Sequence, residues 1–548
     1  MPEILTDETL ADAGRPARGR ERPWRQRLLW TAVMAAAAVA LFEGLLRVSR
    51  TYGVNADGAG IALQGWDFVH GNLLLSGWWT ADVGFYTFEV PVDGLVALAR
   101  GLGGDVVPIT AAIAYTALTC VVALLARGTA RGAPGVFRAV LAAGIMLAPG
   151  DIMSTSILLG SPAHIGVSVP LLLALLLADR ARERWWVPAA MGALLLWAQL
   201  DDPMAEFAGA FAIVVVCLGR VVLERRRGRD SASWRYDAAL GAAAVVSYGL
   251  TRLVIGLIRA AGGFSMRQLS QATKFQPLSR WPHQARVTGH NVLILFGADV
   301  TQRANGVVTA ATAVHLAGVA LAAAGVVAGI VALVRRGDRV TQVLTVGTLV
   351  TLTAGAFASP MTDGYAAHEI AVVLPFGAVL AGRTVAPWLL RRRAVPVLGV
   401  VLAAYLAFFG YYATRPAVPS RDQALADWLV AHHLTDGLGR YWTGSSTRLL
   451  TAGKVRICPV EDYPATPYPW ITRPSWYDPS RHTANFVVAG TDPAGGMVFS
   501  PSAVVKTFGR PARVYRFGQY AVMVYDRNLL REVKPPSQPD PDTGLLGL

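Results

Sequence analysis

The sequence predicts an α-helical polytopic membrane protein with a small α/β domain at its C-terminal end. Of the 548 residues, 53% are hydrophobic and only 16% charged, and mean hydropathy is +0.41. The apolar residues arrive in blocks of about 20, the length that crosses a bilayer as a helix. Arginines cluster in the short segments between blocks, which is how positive-inside topology appears in a sequence. The net charge of +14 is therefore read as a topology signal, and a nucleic-acid partner is excluded.

The elements follow in chain order. Residues 1–27, including "RPARGRERPWRQR", read as a basic, disordered cytoplasmic tail. Leu28 to Val48 is the first span; it lacks a small-residue cleavage site and reads as a retained anchor. Further spans are expected near 106–126, 137–150, 163–178, 186–200, 205–223, 237–260, 306–334, 340–358, 368–390 and 395–413, about eleven in all. The transmembrane domain is thus 28–413, with a large first outer loop at 49–105 and a basic outer loop at 261–305.

Charge supports the alternation independently. Segments assigned to the cytoplasm hold Arg127, Arg131 and Arg138, "DRARER", "ERRRGRD", "RRGDR" and Arg391 to Arg393. Opposite segments, such as "DVGFYTFEVPVDG", "PGDIMSTS", "QLDDPM" and "SPMTDGYAAHE", are acidic or neutral. An odd number of spans places 414–548 outside the cell membrane. There "QALADWLVAHHL" reads as an amphipathic helix, "ANFVVAG" and "QYAVMVYDR" as strands, and the Pro- and Asp-rich end as unstructured. Cys120, Cys217 and Cys458 have no disulfide or zinc spacing.

Carboxylates collect on one face: Asp57, Asp67, Asp82, Glu89, Asp93, Asp151, Asp201, Asp202, Asp363 and Glu369. Exclusion of Arg and Lys from outer loops accounts for some of this. The pair Asp201–Asp202 lies between two closely spaced apolar blocks, where ionisable groups are costly. Asp202 before Pro203 matches a helix cap, so the chemical role is assigned to Asp201. Residues from Gly58 to Gly71 read as an interfacial helix, with Asp57 at its N-terminal edge as either a cap or a group facing a cavity.

The outer loop "FSMRQLSQATKFQPLSRWPHQARVTGHNVLILFGADV" carries Arg267, Lys274, Arg280 and Arg286. These would suit a lipid phosphate; equally, a long loop escapes the charge rule and merely solvates its cations. "HNVLILFGADV" is too short to span and reads as re-entrant.

Together these features resemble the GT-C membrane glycosyltransferases, including protein mannosyltransferases and the aminoarabinose transferase of lipid A. "FYTFEVPVDGLV", "LFGAD", "HEIAVVLPFGAVLAGR" and "FGRPARVYRFGQYAVMVYDRNLL" look like segments of uncharacterised actinobacterial integral membrane proteins of GT-C-like organisation. The resemblance implies transfer of a sugar, with inversion, from a polyprenyl-phosphate donor to an acceptor glycan, lipid or protein of the cell envelope. It puts the catalytic base at Asp57. Many such enzymes have an Asp-Glu pair where this chain has Asp57-Gly58, so Glu89 or Asp201 is expected to supply the second carboxylate. Arg267, Lys274, Arg280 and Arg286 would hold the donor phosphate, with His164 and His368 nearby. Paired carboxylates could hold a divalent cation, although none has diagnostic spacing. The alternative is a transporter or flippase, or an assembly protein, for lipid-linked cell-wall glycans; Glu43 and Arg252 are the evident intramembrane charges.

Overall fold

The computed structural model describes residues 23–161, 164–181, 183–226, 232–266, 275–301, 306–335, 337–358, 364–461, 465–490 and 498–534. The N-terminal tail up to residue 22, Arg267, Lys274 and the chain end after 534 lie outside the described residues.

Apolar blocks become helices because a backbone in lipid must satisfy its own hydrogen bonds. Helix α1 (Pro23–Ser49) is followed by a long loop holding α2 (Ala56–Val69) and α3 (Glu89–Arg100). Next come α4 (Val106–Arg127), α5 (Gly132–Ile145), the short α6 (Ile152–Leu158), α7 (Ser168–Arg180) and α8 (Val187–Asp201). A π-helical turn at Glu206–Phe211 runs into α9 (Ala212–Arg226), then α10 (Ala232–Ala260) and α11 (Trp281–Leu295). The last apolar elements are α12 (Gly306–Arg335), α13 (Arg339–Phe357), α14 (Val373–Leu380), α15 (Ala386–Arg391) and α16 (Val395–Ala413).

Among the described residues, eight helical segments are long and apolar enough to cross a membrane, so the protein is a multi-pass membrane protein. The expected spans at 137–150, 163–178 and 186–200 correspond to α5, α7 and α8, which have 14, 13 and 15 residues. These are shorter than the roughly 20 residues a bilayer requires. Burial separates centre from rim: 61% of the α4 window is buried, against 6% for α1 and 17% for α16. "HNVLILFGADV", too short to span, is the C-terminal half of α11 and its following turn. The turn depends on Gly297 at φ +67; a Cβ there would meet the Ala148 carbonyl at 2.3 Å.

After α16 the chain forms α17 (Gln423–Ala431), β1 (Asp436–Gly439), α18 (Tyr441–Leu450), β2 (Arg456–Pro459), β3 (Phe486–Gly490), α19 (Pro501–Phe508), β4 (Arg513–Phe517) and β5 (Tyr520–Val524). The strands make one mixed sheet in the order β2-β1-β3-β5-β4. Pairing is parallel for β1 with β2 and β3, and antiparallel for β5 with β3 and β4. The expected helix and both expected strands are present.

This C-terminal region shares a core with the first long loop. Ile61, Leu75, Trp78, Trp79 and Phe85 pack in one cluster with Tyr441, Cys458, Trp476 and Met523. Trp79 and Thr472 exchange backbone hydrogen bonds at 2.8 and 3.1 Å. Within the loop, α2 and α3 cross at Gly65 and Gly94. A Cβ on Gly65 would stand 2.6 Å from the Gly94 nitrogen, so glycine is what permits the close approach.

Candidate functional site

Four segments distant in sequence bring titratable side chains together at one end of the helix bundle. The first long loop contributes Asp82 and Glu89, the α6–α7 connection His164, the end of α8 Asp201 and Asp202, and a 3₁₀ turn before α14 His368 and Glu369.

Asp202 ends α8 with extended backbone (φ −146, ψ 126). Its Oδ1 accepts the Met204 amide at 2.7 Å, the cap expected from Asp-Pro, since Pro203 has no N–H to give. Its other oxygen, Oδ2, bonds His164 Nδ1 at 2.7 Å, and both side chains are almost wholly buried. Burial alone disfavours an imidazolium, but the Asp202 charge and hydrogen bond outweigh it and raise His164 to about 10. His164 itself sits at φ +66, in the left-handed region non-glycine residues seldom enter. Its ring stacks on His368 at 4.9 Å and meets Phe85 edge-on at 5.2 Å.

His368 Nε2 lies 3.4 Å from Glu369 Oε1. Burial works to raise Glu369, yet the His368 hydrogen bond and the His164 charge hold it down at about 2. Asp82 is half-buried and has no hydrogen-bond partner among the described residues. Burial raises its pKa, while His164 and His368 oppose that. One ligand atom each from His164, His368 and Glu369 lie within 4.8 Å of one another. With His164 Nδ1 engaged by Asp202, its Nε2 is the remaining ligand atom. The resulting imidazole and carboxylate donors suit a transition-metal dication.

Beneath this cluster Asp201 Oδ1 accepts the backbone N–H groups of Thr87 at 3.1 Å and Phe88 at 2.8 Å. The Asp201 carbonyl takes Phe85 N–H at 3.0 Å. Asp201 thereby pins the loop that carries Asp82. The Glu89 carboxyl is wholly buried against Asp201. Burial, then the Asp201 charge, lifts its pKa well above the ordinary carboxylate range. Gly166 makes room for it: a Cβ there would be 2.2 Å from Glu89 Oε1.

Asp57 is placed differently. Asn55, not Asp57, caps α2, its side chain accepting Gly58 N–H at 2.8 Å. Asp57 Oδ1 accepts the Tyr441 hydroxyl at 2.6 Å, so this carboxylate faces α18. A link to the cluster runs through the neighbouring residue, because a Cβ on Gly58 would sit 3.3 Å from the carbonyl of Gly160, four residues before His164. Arg280 and Arg286 are exposed. Arg286 contacts His283 at 3.0 Å, and among the described residues no ion pair joins either arginine to the His164 cluster. Arg252 in α10 pairs with Glu206 at 2.6 Å.

Asp82, Asp202 and Glu369 were not given a chemical role from sequence, and His368 was expected only as a group near the donor phosphate. The adjacent "HE" at 368–369 and the acid in "DVGFY" were visible signals, but only folding brings them to His164.

No protein-family description matches the sequence, nor does any curated protein. Among solved structures the chain is similar to ArnT from Cupriavidus metallidurans in the apo state. The TM-score is 0.52 at 13% identity, over 93% of this chain and 100% of that one. The fold is that of the GT-C membrane glycosyltransferases. Similarity extends to ArnT bound to undecaprenyl phosphate (TM-score 0.49, 15% identity, 92% and 99% coverage). It extends also to the Archaeoglobus fulgidus oligosaccharyltransferase tethered with an acceptor peptide (0.47, 13% identity, 86% and 70% coverage). On a GT-C fold, Asp57, Asp82 and Glu89 lie on the first long loop and His368 and Glu369 on the turn before α14.

Proposed function

We propose that this protein transfers a sugar from a polyprenyl-phosphate donor to a hydroxyl of a cell-envelope acceptor, with inversion at the anomeric carbon. The observation that carries the reading is the convergence of Asp82, His164, His368 and Glu369 at one end of a GT-C bundle. The His164 cation standing among these carboxylates, or a divalent cation held there in its place, would meet the phosphate of a lipid-linked substrate, and the carboxylates would take the acceptor proton.

The acceptor oxygen attacks the anomeric carbon while the bond from that carbon to the phosphate oxygen breaks, the electron pair leaving with the phosphate. The acceptor proton passes to a carboxylate. We assign this base to Asp57, as the GT-C resemblance implies, with Tyr441 fixing one of its oxygens. A second reading places the base at Asp82, favoured by its standing in the cluster without a hydrogen-bond partner among the described residues. His164, held by Asp202, opposes the growing charge of the departing phosphate. A divalent cation held by His164, His368 and Glu369, bound with loss of the His164 proton, would supply that neutralisation in place of the imidazolium. Glu89 and Asp201 support the loop instead of touching substrate, and Arg280 and Arg286 are available to a lipid phosphate only at the surface. A transport role has less support, since the Arg252 charge is met by Glu206.

The test is mass spectrometry of envelope glycans and glycolipids from a strain lacking the protein, rescued with the native sequence, Asp57→Asn or Asp82→Asn. A glycan short by one sugar in the null strain, restored by the native copy and not by one variant, supports the transferase and names its base. Full rescue by both variants at normal expression overturns it.

A further inference from the structure

The helices α5, α12 and α16 enclose a groove unrelated to the titratable cluster. Its volume is about 220 Å³ and its lining is almost wholly apolar, including Phe137, Ile145, Leu321, Leu398 and Leu402. From Val395 to Tyr405 it follows α16 for ten residues, roughly 15 Å at 1.5 Å per residue. The one hydroxyl on its wall, that of Tyr405, is satisfied by the His315 carbonyl at 3.2 Å. A void of this size and lining does not hold water and takes up hydrocarbon instead.

Three glycines shape it. A Cβ on Gly144 would meet Leu402 at 2.9 Å and one on Gly318 the Tyr405 hydroxyl at 2.2 Å, so these two allow the helices to close around the groove. Gly399 differs: a Cβ there meets nothing within 4 Å, because it projects into open space. The groove lies among helices that face lipid, α12 and α16 being 22% and 17% buried along their apolar windows.

Charge identifies the occupant. At the end marked by Phe137 and Val395 stand Arg138 and the run Arg391–Arg393. The Arg138 Nε is covered by protein and has no hydrogen-bond partner among the described residues. Arg391, Arg392 and Arg393 are exposed, with Arg392 over the ring of the exposed Trp388 at 5.7 Å, as befits headgroup depth. An acyl chain in the groove would put its phosphate among these arginines. We propose that this groove binds one chain of an anionic phospholipid from the leaflet on the Arg391–Arg393 side. The site is separate from that for the sugar donor and independent of the proposed activity.

The test is native mass spectrometry of the full-length, delipidated protein titrated with dioleoyl phosphatidylglycerol or dioleoyl phosphatidylcholine. The wild type is expected to retain one phosphatidylglycerol at a concentration at least about fivefold lower than phosphatidylcholine, the increment one arginine gives at an anionic surface. Gly399→Leu, which fills the groove, should remove the tight adduct of either lipid. Arg391→Gln with Arg392→Gln and Arg393→Gln, all at exposed positions, should keep the adduct and lose the preference. Equal retention of both lipids by the wild type, or a tight adduct surviving in a folded Gly399→Leu, overturns the proposal. If Gly399→Leu does not fold, the arginine variant decides: an unchanged preference overturns it equally.

Discussion

Tyr441 donates its hydroxyl to Asp57 Oδ1 at 2.6 Å, joining residues 384 positions apart. The bond ties the first turn of α2 to the first turn of α18, and so ties the first long loop to the C-terminal sheet region. Tyr441 is buried. Tyr441→Phe should therefore lower stability by about 1.5–3 kcal/mol, the worth of a hydrogen bond to a charged group. A reduced Tm and faster proteolytic release of the C-terminal region would register it; an unchanged Tm would show that the bond contributes nothing.

The His164–Asp202 pair sets a pH dependence. His164 is raised to about 10 in the folded protein from an unfolded value near 6.5. The folded state thus binds the proton more tightly, so the stabilisation is fully present below about pH 6.5 and is lost progressively as pH rises through about 10. Tm measured between pH 6 and pH 10.5 should fall across that window. In Asp202→Asn the fall should be smaller and Tm lower at neutral pH, because a buried histidine has lost its counter-charge.

Asp93 gives a second slope of the same sign, at lower pH. It is buried where α2 crosses α3, its Cβ 3.0 Å from a Cβ placed on Gly65. Burial raises its pKa to about 8, the nearby Thr110 acting against that shift. Since the folded state prefers the protonated acid, stability falls as pH rises from about 4 to about 8. Asp93→Asn should remove this slope and raise Tm at pH 8, and a wild-type Tm flat from pH 5 to pH 8 would refute it.

Three ligand atoms within 4.8 Å should make the protein a cation binder. Added Zn²⁺ or Mn²⁺ should raise the wild-type Tm, a hundredfold excess over Kd giving about 2.7 kcal/mol. The double substitution His368→Ala, Glu369→Gln should abolish that increase. Metal-insensitive wild-type protein would remove the cation from the proposal.

A further prediction concerns shape alone. Gly65→Ala would force a Cβ to 2.6 Å from the Gly94 nitrogen and the Val90 carbonyl, both backbone atoms that cannot turn aside. Loss of about 1–3 kcal/mol is expected, read as a lowered Tm, while Gly71→Ala, with nothing within 4 Å, should cost less despite its positive φ.

By itself the sequence determined that this is a multi-spanning membrane protein. Apolar block length and arginine placement are local properties, and lipid leaves the backbone no alternative to helices. The same locality made α2, α17, β3 and β5 legible, and GT-C organisation emerged from the order of such features. The site was only partly legible. Glu89, His164 and Asp201 were singled out, but Asp201 turned out to pin the Thr87–Phe88 backbone, and Asp202, expected only to cap, proved also to hold His164. The tertiary structure alone decided that Asp82, Asp202, His368 and Glu369 meet at His164, and that Asp57 meets Tyr441. These encounters depend on how separate helices pack, and a carboxylate's partner across 38 or 384 residues leaves no periodicity in the chain.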